Sequence, residues 1–233
     1  MNNADHTPLI AHRIRRYAAA GSLVAFPALL VLEAPLDPAS GGTGQVMFTA
    51  ATEHAGALIA SAVLLMLSGM LMVPAVWGLA HQARDRGAGL ANLAAAVGVL
   101  GGFGHFGIGM FYLVALALPG GDRNEMIAYI ERLNATPALG AIAFPLILCF
   151  GFGVLAMAWA AWRTGLIGWW GPFAVTAVVV LHDVVPSNIA WIEIAGLGVL
   201  AVVFGYLGLR LAALTDNEWG PAQSHAVPEA ATV

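Results

Sequence analysis

Apolar runs as long as a membrane-crossing helix recur along this chain, and nothing else in it constrains the fold as strongly. Six segments qualify, at about 17–33, 54–79, 90–118, 138–162, 166–185 and 189–213. A helix needs roughly 20 mostly apolar residues to cross the hydrocarbon core of a bilayer. Inside lipid the backbone must satisfy its own N–H and C=O groups, so such segments are helices. The sequence therefore predicts an all-α fold, a polytopic membrane bundle of about six transmembrane helices. Charge agrees: only 9% of the residues are charged, against roughly 25% in soluble domains. The formal net charge of −4 excludes a nucleic-acid partner. The partner these surfaces fit is the lipid bilayer.

The breaks between the runs carry turn formers or charge: "EAPLDPASGGTG", "HQARDRGAG", "LPGGDRNE" and "VVPSN". If the spans alternate, Arg13, Arg15, Arg16, Arg84, Arg86, Arg163 and Arg210 fall on one side and only Arg123 and Arg132 on the other. Short arginine-bearing segments stay in the cytoplasm, which predicts both termini cytoplasmic and a multi-pass protein of a bacterial inner membrane. Residues 1–16 then form a cytoplasmic N-terminal segment and 17–213 the six-helix domain. The first run follows three arginines, as a signal peptide would, but lacks a small-x-small cleavage site and is read as a retained helix. The tail 214–233 is polar, contains Pro221 and Pro228, and is expected to be disordered and cytoplasmic. Met126, Tyr129, Ile130 and Leu133 recur at helical spacing, predicting a short amphipathic helix near 122–134 on the outer surface. Trp159, Trp162, Trp169 and Trp170 cluster around one inner loop, as an interfacial belt does.

A weak repeat relates "GALIA" at 56–60 to "PALGA" at 137–141. Each opens an inward-running span after an outer segment containing a methionine. The outward-running spans that follow each carry a histidine, His105 and His182, expected at similar depth.

His105 lies in "GGFGHFGIGM". Helical spacing puts Gly98, Gly101, Gly102, Gly109 and Tyr112 on its face. Gly98 and Gly102 form a GxxxG pair, which lets another helix come close. "GFGHFG" also matches GxGxxG, but a dinucleotide site needs those glycines between a strand and a helix start. Within a continuous span the N–H groups are already bonded, so the match carries no cofactor.

The remaining ionisable residues of the spans gather at one leaflet. Glu33 is near the outer end of the first span, Glu53 and His54 open the second, and His182 with Asp183 lie near the outer end of the fifth. Glu193 begins the sixth, and His105 lies in the outer half of the third. Four readings fit this set. One is an outward-facing His/carboxylate pocket that handles a cation, a proton or a small polar ligand, since imidazole titrates near neutral pH. Its core is His105 and His182, with Asp183, Glu53 and Glu193 beside them and His54 at the mouth. A second is a haem b redox protein with His105 and His182 as axial ligands on neighbouring helices. A third is a membrane metallohydrolase holding zinc on His54, His105 and His182, although no H-E-x-x-H pair is present. The fourth is a structural or accessory membrane subunit, assembling as a homo-oligomer or with a partner membrane subunit through its glycine stripes.

The segments "AAGSLVAFP", "TEHAGALIASAVLLMLSGMLMVPAVWGL" and "GDRNEMIAYIERLNATPAL" resemble those of a group of uncharacterised small six-span bacterial integral membrane proteins. The resemblance implies the membrane class and carries over no activity and no site residues.

Overall fold

The apolar runs become helices, and the structure, a computed structural model, describes residues 7–84, 87–184 and 190–219. Among these residues there are helices and turns but no strand. The helices are α1 (Thr7–Glu33), α2 (Gly44–Glu53), α3 (Ala55–Gln82), α4 (Ala88–Ala115), α5 (Arg123–Asn134), α6 (Pro137–Arg163), α7 (Trp170–Val184), α8 (Ala190–Ala212) and α9 (Asp216–Trp219). Helix α1 starts well before the apolar run, so the segment expected to precede the first span is helical from Thr7. It ends in a 3-10 turn at Ala34–Leu36, where Pro35 has no N–H to continue the ladder. Pro74 and Pro145 lie inside α3 and α6 without ending them.

Five described helices are long and apolar enough to cross a membrane: α1, α3, α4, α6 and α8. Helix α7, expected to span from 166 to 185, starts only at Trp170, after a turn. Its 15 residues cover about 22 Å at about 1.5 Å each, short of the roughly 30 Å core. In space α8, α1, α3, α4 and α6 are neighbours in series, and α7 joins α6 to α8 by sparser contact, closing a ring. One end of the ring collects Arg13, Arg15, Arg16, Arg84, Arg163 and Arg210. The other end is covered by α2 and α5.

The tight seams are made by glycine. A methyl group on Gly102 would sit 2.6 Å from the Gly69 carbonyl oxygen of α3, and one on Gly109 would sit 2.6 Å from that of Ala62. On the other flank of α4, a methyl on Gly101 would lie 2.5 Å from the Phe150 Cα of α6, and one on Gly104 would lie 2.8 Å from the Leu146 oxygen. Two helices thus press against α4 backbone to backbone, as small residues permit where lipid supplies no hydrophobic drive between spans. Ser61 and Ser68 of α3 face α1 and are fully buried. The Ser68 hydroxyl donates to the Phe26 carbonyl at 2.9 Å.

The two caps are fixed by polar contacts distant in sequence. Asp122 caps α5 by accepting from the N–H groups of Asn124 (2.9 Å) and Glu125 (3.1 Å). Glu131 of α5 then accepts from the Gly44 N–H at the start of α2 at 2.6 Å. The Asn134 amide donates to the Gly42 oxygen at 2.9 Å. Ile130, with Met47 and Leu58, is buried beneath them. Helix α5 thus packs on a second short helix, because the segment before His54 is itself helical, from Gly44 to Glu53. Each short helix leads directly into a span, α2 into α3 and α5 into α6, the two places where the sequence repeat was read.

The tail expected to be disordered from 214 is ordered as far as Trp219; residues 220–233 lie outside the described set. Thr215 and Glu218 cap α9 reciprocally: the Thr215 N–H and hydroxyl donate to Glu218 at 2.7 and 2.9 Å. Asp216 pairs with Arg13 at 2.5 Å and Arg16 at 3.0 Å. Trp219 is buried against α3, its ring 4.7 Å from that of His81. Arg13, and then Arg16, hold the Asp216 carboxyl below the usual carboxylate range, and the Thr215 hydrogen bonds do so for Glu218. Lowered values mean that these contacts hold the turn fully above the ordinary carboxylate pKa, near 4. They are lost as pH falls through the lowered values. Hydrogen exchange at residues 216–219 should therefore be slow at neutral pH and accelerate below about pH 4. Asp216→Asn should show the fast exchange already at pH 7. Protection unchanged down to pH 2 would mean that the ion pairs do not hold the turn.

Candidate functional site

Burial singles out the covered end of the bundle. Glu33, at the last residue of α1, is 8% exposed, and the Ser61 hydroxyl of α3, fully buried, donates to its Oε1. One turn further along the chain, Asp37 accepts from two groups. Its Oδ1 takes the Ala39 N–H at 2.8 Å, and its Oδ2 takes the Tyr112 hydroxyl of α4 at 3.1 Å. Tyr112 is 8% exposed. The turn between Glu33 and Asp37 touches both α3 and α8, and Glu193 in the first turn of α8 is within electrostatic reach of Glu33 and Tyr112.

Each partner has a local cause. Pro35 stops α1 at Glu33 and turns the chain so that Asp37 comes back under α4. Gly109 draws α4 against Ala62 of α3, which brings Tyr112, three residues on, to the same end as Ser61. Leu30, Ala39, Leu58 and Leu118 are buried around this group, together with Met47 of α2 and Ile130 of α5. Among the described residues, the charged neighbours that act on Glu33 are Asp37 and Glu193, both acidic. The ion pairs among the described residues run from Arg13 and Arg16 to Asp216, at the opposite end.

The residues expected to form the site are spread more widely. Glu53 ends α2 and His54 stands between α2 and α3; both are exposed on the rim of the cap. Glu193 is exposed at the start of α8. His105 is half-buried in α4, its ring edge-on to Phe150 of α6 at 3.9 Å. Tyr112 follows it by seven residues on one face, about 10 Å nearer the cap. His182 and Asp183 lie near the end of α7, with their side chains outside the described part of the structure. The histidine-bearing helices are not neighbours, because α6 stands between α4 and α7 in the ring. The expectation of His105 and His182 on adjacent helices is corrected accordingly. The glycines that flank His105 receive α3 and α6 rather than α7. Among the described residues no three His, Cys, Asp or Glu side chains converge as a metal site.

Sequence reasoning placed Glu33 at this end and Tyr112 on the face of His105 but left both out of the site, and it overlooked Asp37. The available signal was weak: Tyr112 ends the glycine face of His105, and Ser61 lies on the small-residue face of α3. Asp37 sits in a loop, and its pairing with Tyr112 spans 75 residues. No protein-family model, curated protein or solved structure matches the chain.

Proposed function

We propose that the protein handles protons or small cations in a bacterial inner membrane, at a site centred on Glu33 and Ser61 and extended by Asp37 and Tyr112. In this reading α7 is the sixth span, and the arginine-rich end and both termini face the cytoplasm, following the bias of arginines toward the inner side. The covered end then faces outward.

The observation that carries the reading is the buried Glu33 carboxyl, whose hydrogen-bond partner among the described residues is a hydroxyl and whose charged neighbours among them are acidic. A carboxylate in a span is costly to keep without a companion charge, and intramembrane carboxyls of this kind mark ion and proton routes. A proton or a small cation supplies that companion. Ser61 orients the carboxyl, and the Tyr112–Asp37 pair gives a second exchangeable group toward the surface. The α2–α5 cap, with Glu53 and His54 on its rim, limits access from that side. His105, two turns deeper on the face of Tyr112, extends the polar line into the bundle.

The test is flux in vesicles carrying the full chain, with imposed gradients of protons, Na+ and K+ in turn. Wild type is expected to dissipate one of them faster than protein-free vesicles. Glu33→Gln keeps the shape and the hydrogen bond to Ser61 but cannot exchange charge, so its rate should fall to the protein-free level. Equal rates for wild type and Glu33→Gln would remove Glu33 as the site. No flux of any ion in wild type would favour an accessory membrane subunit.

A further inference from the structure

A second feature lies on the outside of the ring, toward the arginine end. Helices α4 and α6 are drawn together by glycine: Gly101 and Gly104 meet the α6 backbone, and a methyl on Gly153 would lie 2.7 Å from the Gly98 Cα. Two helices this close leave a valley along their lipid-facing side. It has a volume of about 620 Å³ and is lined by Leu90, Leu93, Val97, Cys149, Phe152 and Trp159, among others. That volume is in the range of small-molecule sites. The lining is apolar from end to end except at Arg163, which closes it at the last turn of α6. Leu93 and Phe152 are 55% and 58% exposed.

We propose that this valley binds one anionic phospholipid, with an acyl chain between α4 and α6 and the phosphate on Arg163. Length fits. From Cys149 to Arg163 the valley follows α6 for about 21 Å, one leaflet of hydrocarbon plus the headgroup level. Level fits as well. Trp159 and Trp162 stack edge to face at 5.5 Å beside Arg163, and Trp159 meets Phe173 of α7 at 5.7 Å. Aromatic rings of this kind sit at the headgroup boundary. Charge selects the headgroup: Arg163 is exposed, and it makes no hydrogen bond or ion pair with another described residue. A guanidinium pairs with a phosphate in bidentate fashion. A zwitterionic lipid also carries a phosphate, but its cationic group would face Arg163 and the arginine-rich turns around it.

Cys149, the sole cysteine of the chain, lies in the valley and reports occupancy. The full chain in detergent is treated with a small maleimide in the presence of phosphatidylglycerol, of phosphatidylcholine with the same acyl chains, or of inorganic phosphate. Phosphatidylglycerol should slow alkylation of Cys149, and phosphatidylcholine should do so about fivefold less effectively, the weight of roughly one arginine–lipid charge contact. Arg163→Gln, a surface change that leaves the helix contacts alone, should erase that preference. Val97→Trp, which fills the valley, should remove protection by either lipid. Native mass spectrometry should show one phosphatidylglycerol retained by wild type. Equal protection by the two lipids, no protection by either, or protection by inorganic phosphate alone would each overturn the proposal.

Discussion

Gly102→Leu should prevent the bundle from assembling, with a loss of about 3 kcal/mol or more of stability. Residue 102 is where α4 meets α3, and even a methyl group there would stand 2.6 Å from the Gly69 oxygen. The obstacle is backbone, not the flexible end of a side chain, so relief requires moving one helix away from the other. Separation by an ångström or more forfeits dispersion contacts along the whole seam, and those contacts are what hold spans together in lipid. Gly102→Ala should give a smaller loss of the same sign. Gly107→Ala, on the same helix, is the control. Nothing lies within 4 Å of a methyl there, and replacing a helical glycine by alanine gains about 0.5–1 kcal/mol. Thermal unfolding in detergent, with the fraction of monodisperse protein, reads all three. If Gly102→Leu unfolds with the wild-type midpoint, the α3–α4 seam is not the tight contact described.

This seam was visible in the sequence, because close approach of two helices demands small residues at helical spacing and such residues can be counted. The apolar runs were visible for the same reason: burial in lipid requires composition, and composition is local. What escaped depends on contacts between distant segments. Nothing in "GQVMFTAATE" alone separates helix α2 from a loop; its first N–H, that of Gly44, is capped by Glu131, 87 residues away. The turn at Asp216–Trp219 looks like polar tail until Arg13, Arg16 and His81 surround it. Glu33 shows the difficulty most clearly. A carboxylate at the end of a span reads as solvated at the headgroup level, and it is solvated unless something covers it. What encloses it is Ser61 of α3 and the turn at Ala34–Leu36, which packs on α3 and α8, and no periodicity announces those contacts. His105 shows the converse: the glycines on its face are where other helices meet α4, but a face does not say which helices, and α3 and α6 rather than α7 do.

The Glu33–Ser61 pair offers the sharpest test of how this end is built. Ser61→Ala should destabilise the protein by about 2 kcal/mol, because it strips the buried carboxyl of its donor and leaves the desolvation cost in place. Interhelical hydrogen bonds in membranes average only about 0.6 kcal/mol, so a loss of this size requires that the acceptor stay buried in the variant. The serine itself contributes little volume. Glu33→Leu removes the group that needs a partner, and replacing a buried charged group by an apolar one of similar size is often neutral or stabilising. The double variant, Glu33→Leu with Ser61→Ala, should therefore unfold within about 1 kcal/mol of wild type, with a coupling energy of roughly 2 kcal/mol between the sites. Additive losses would show that the carboxyl finds another partner and that Ser61 is incidental. The cycle also separates structure from function. A fold that tolerates leucine at 33 while ion flux vanishes would mean that the carboxyl is kept for what it exchanges. A fold that collapses with leucine at 33 would mean that it is kept to join α1 to α3.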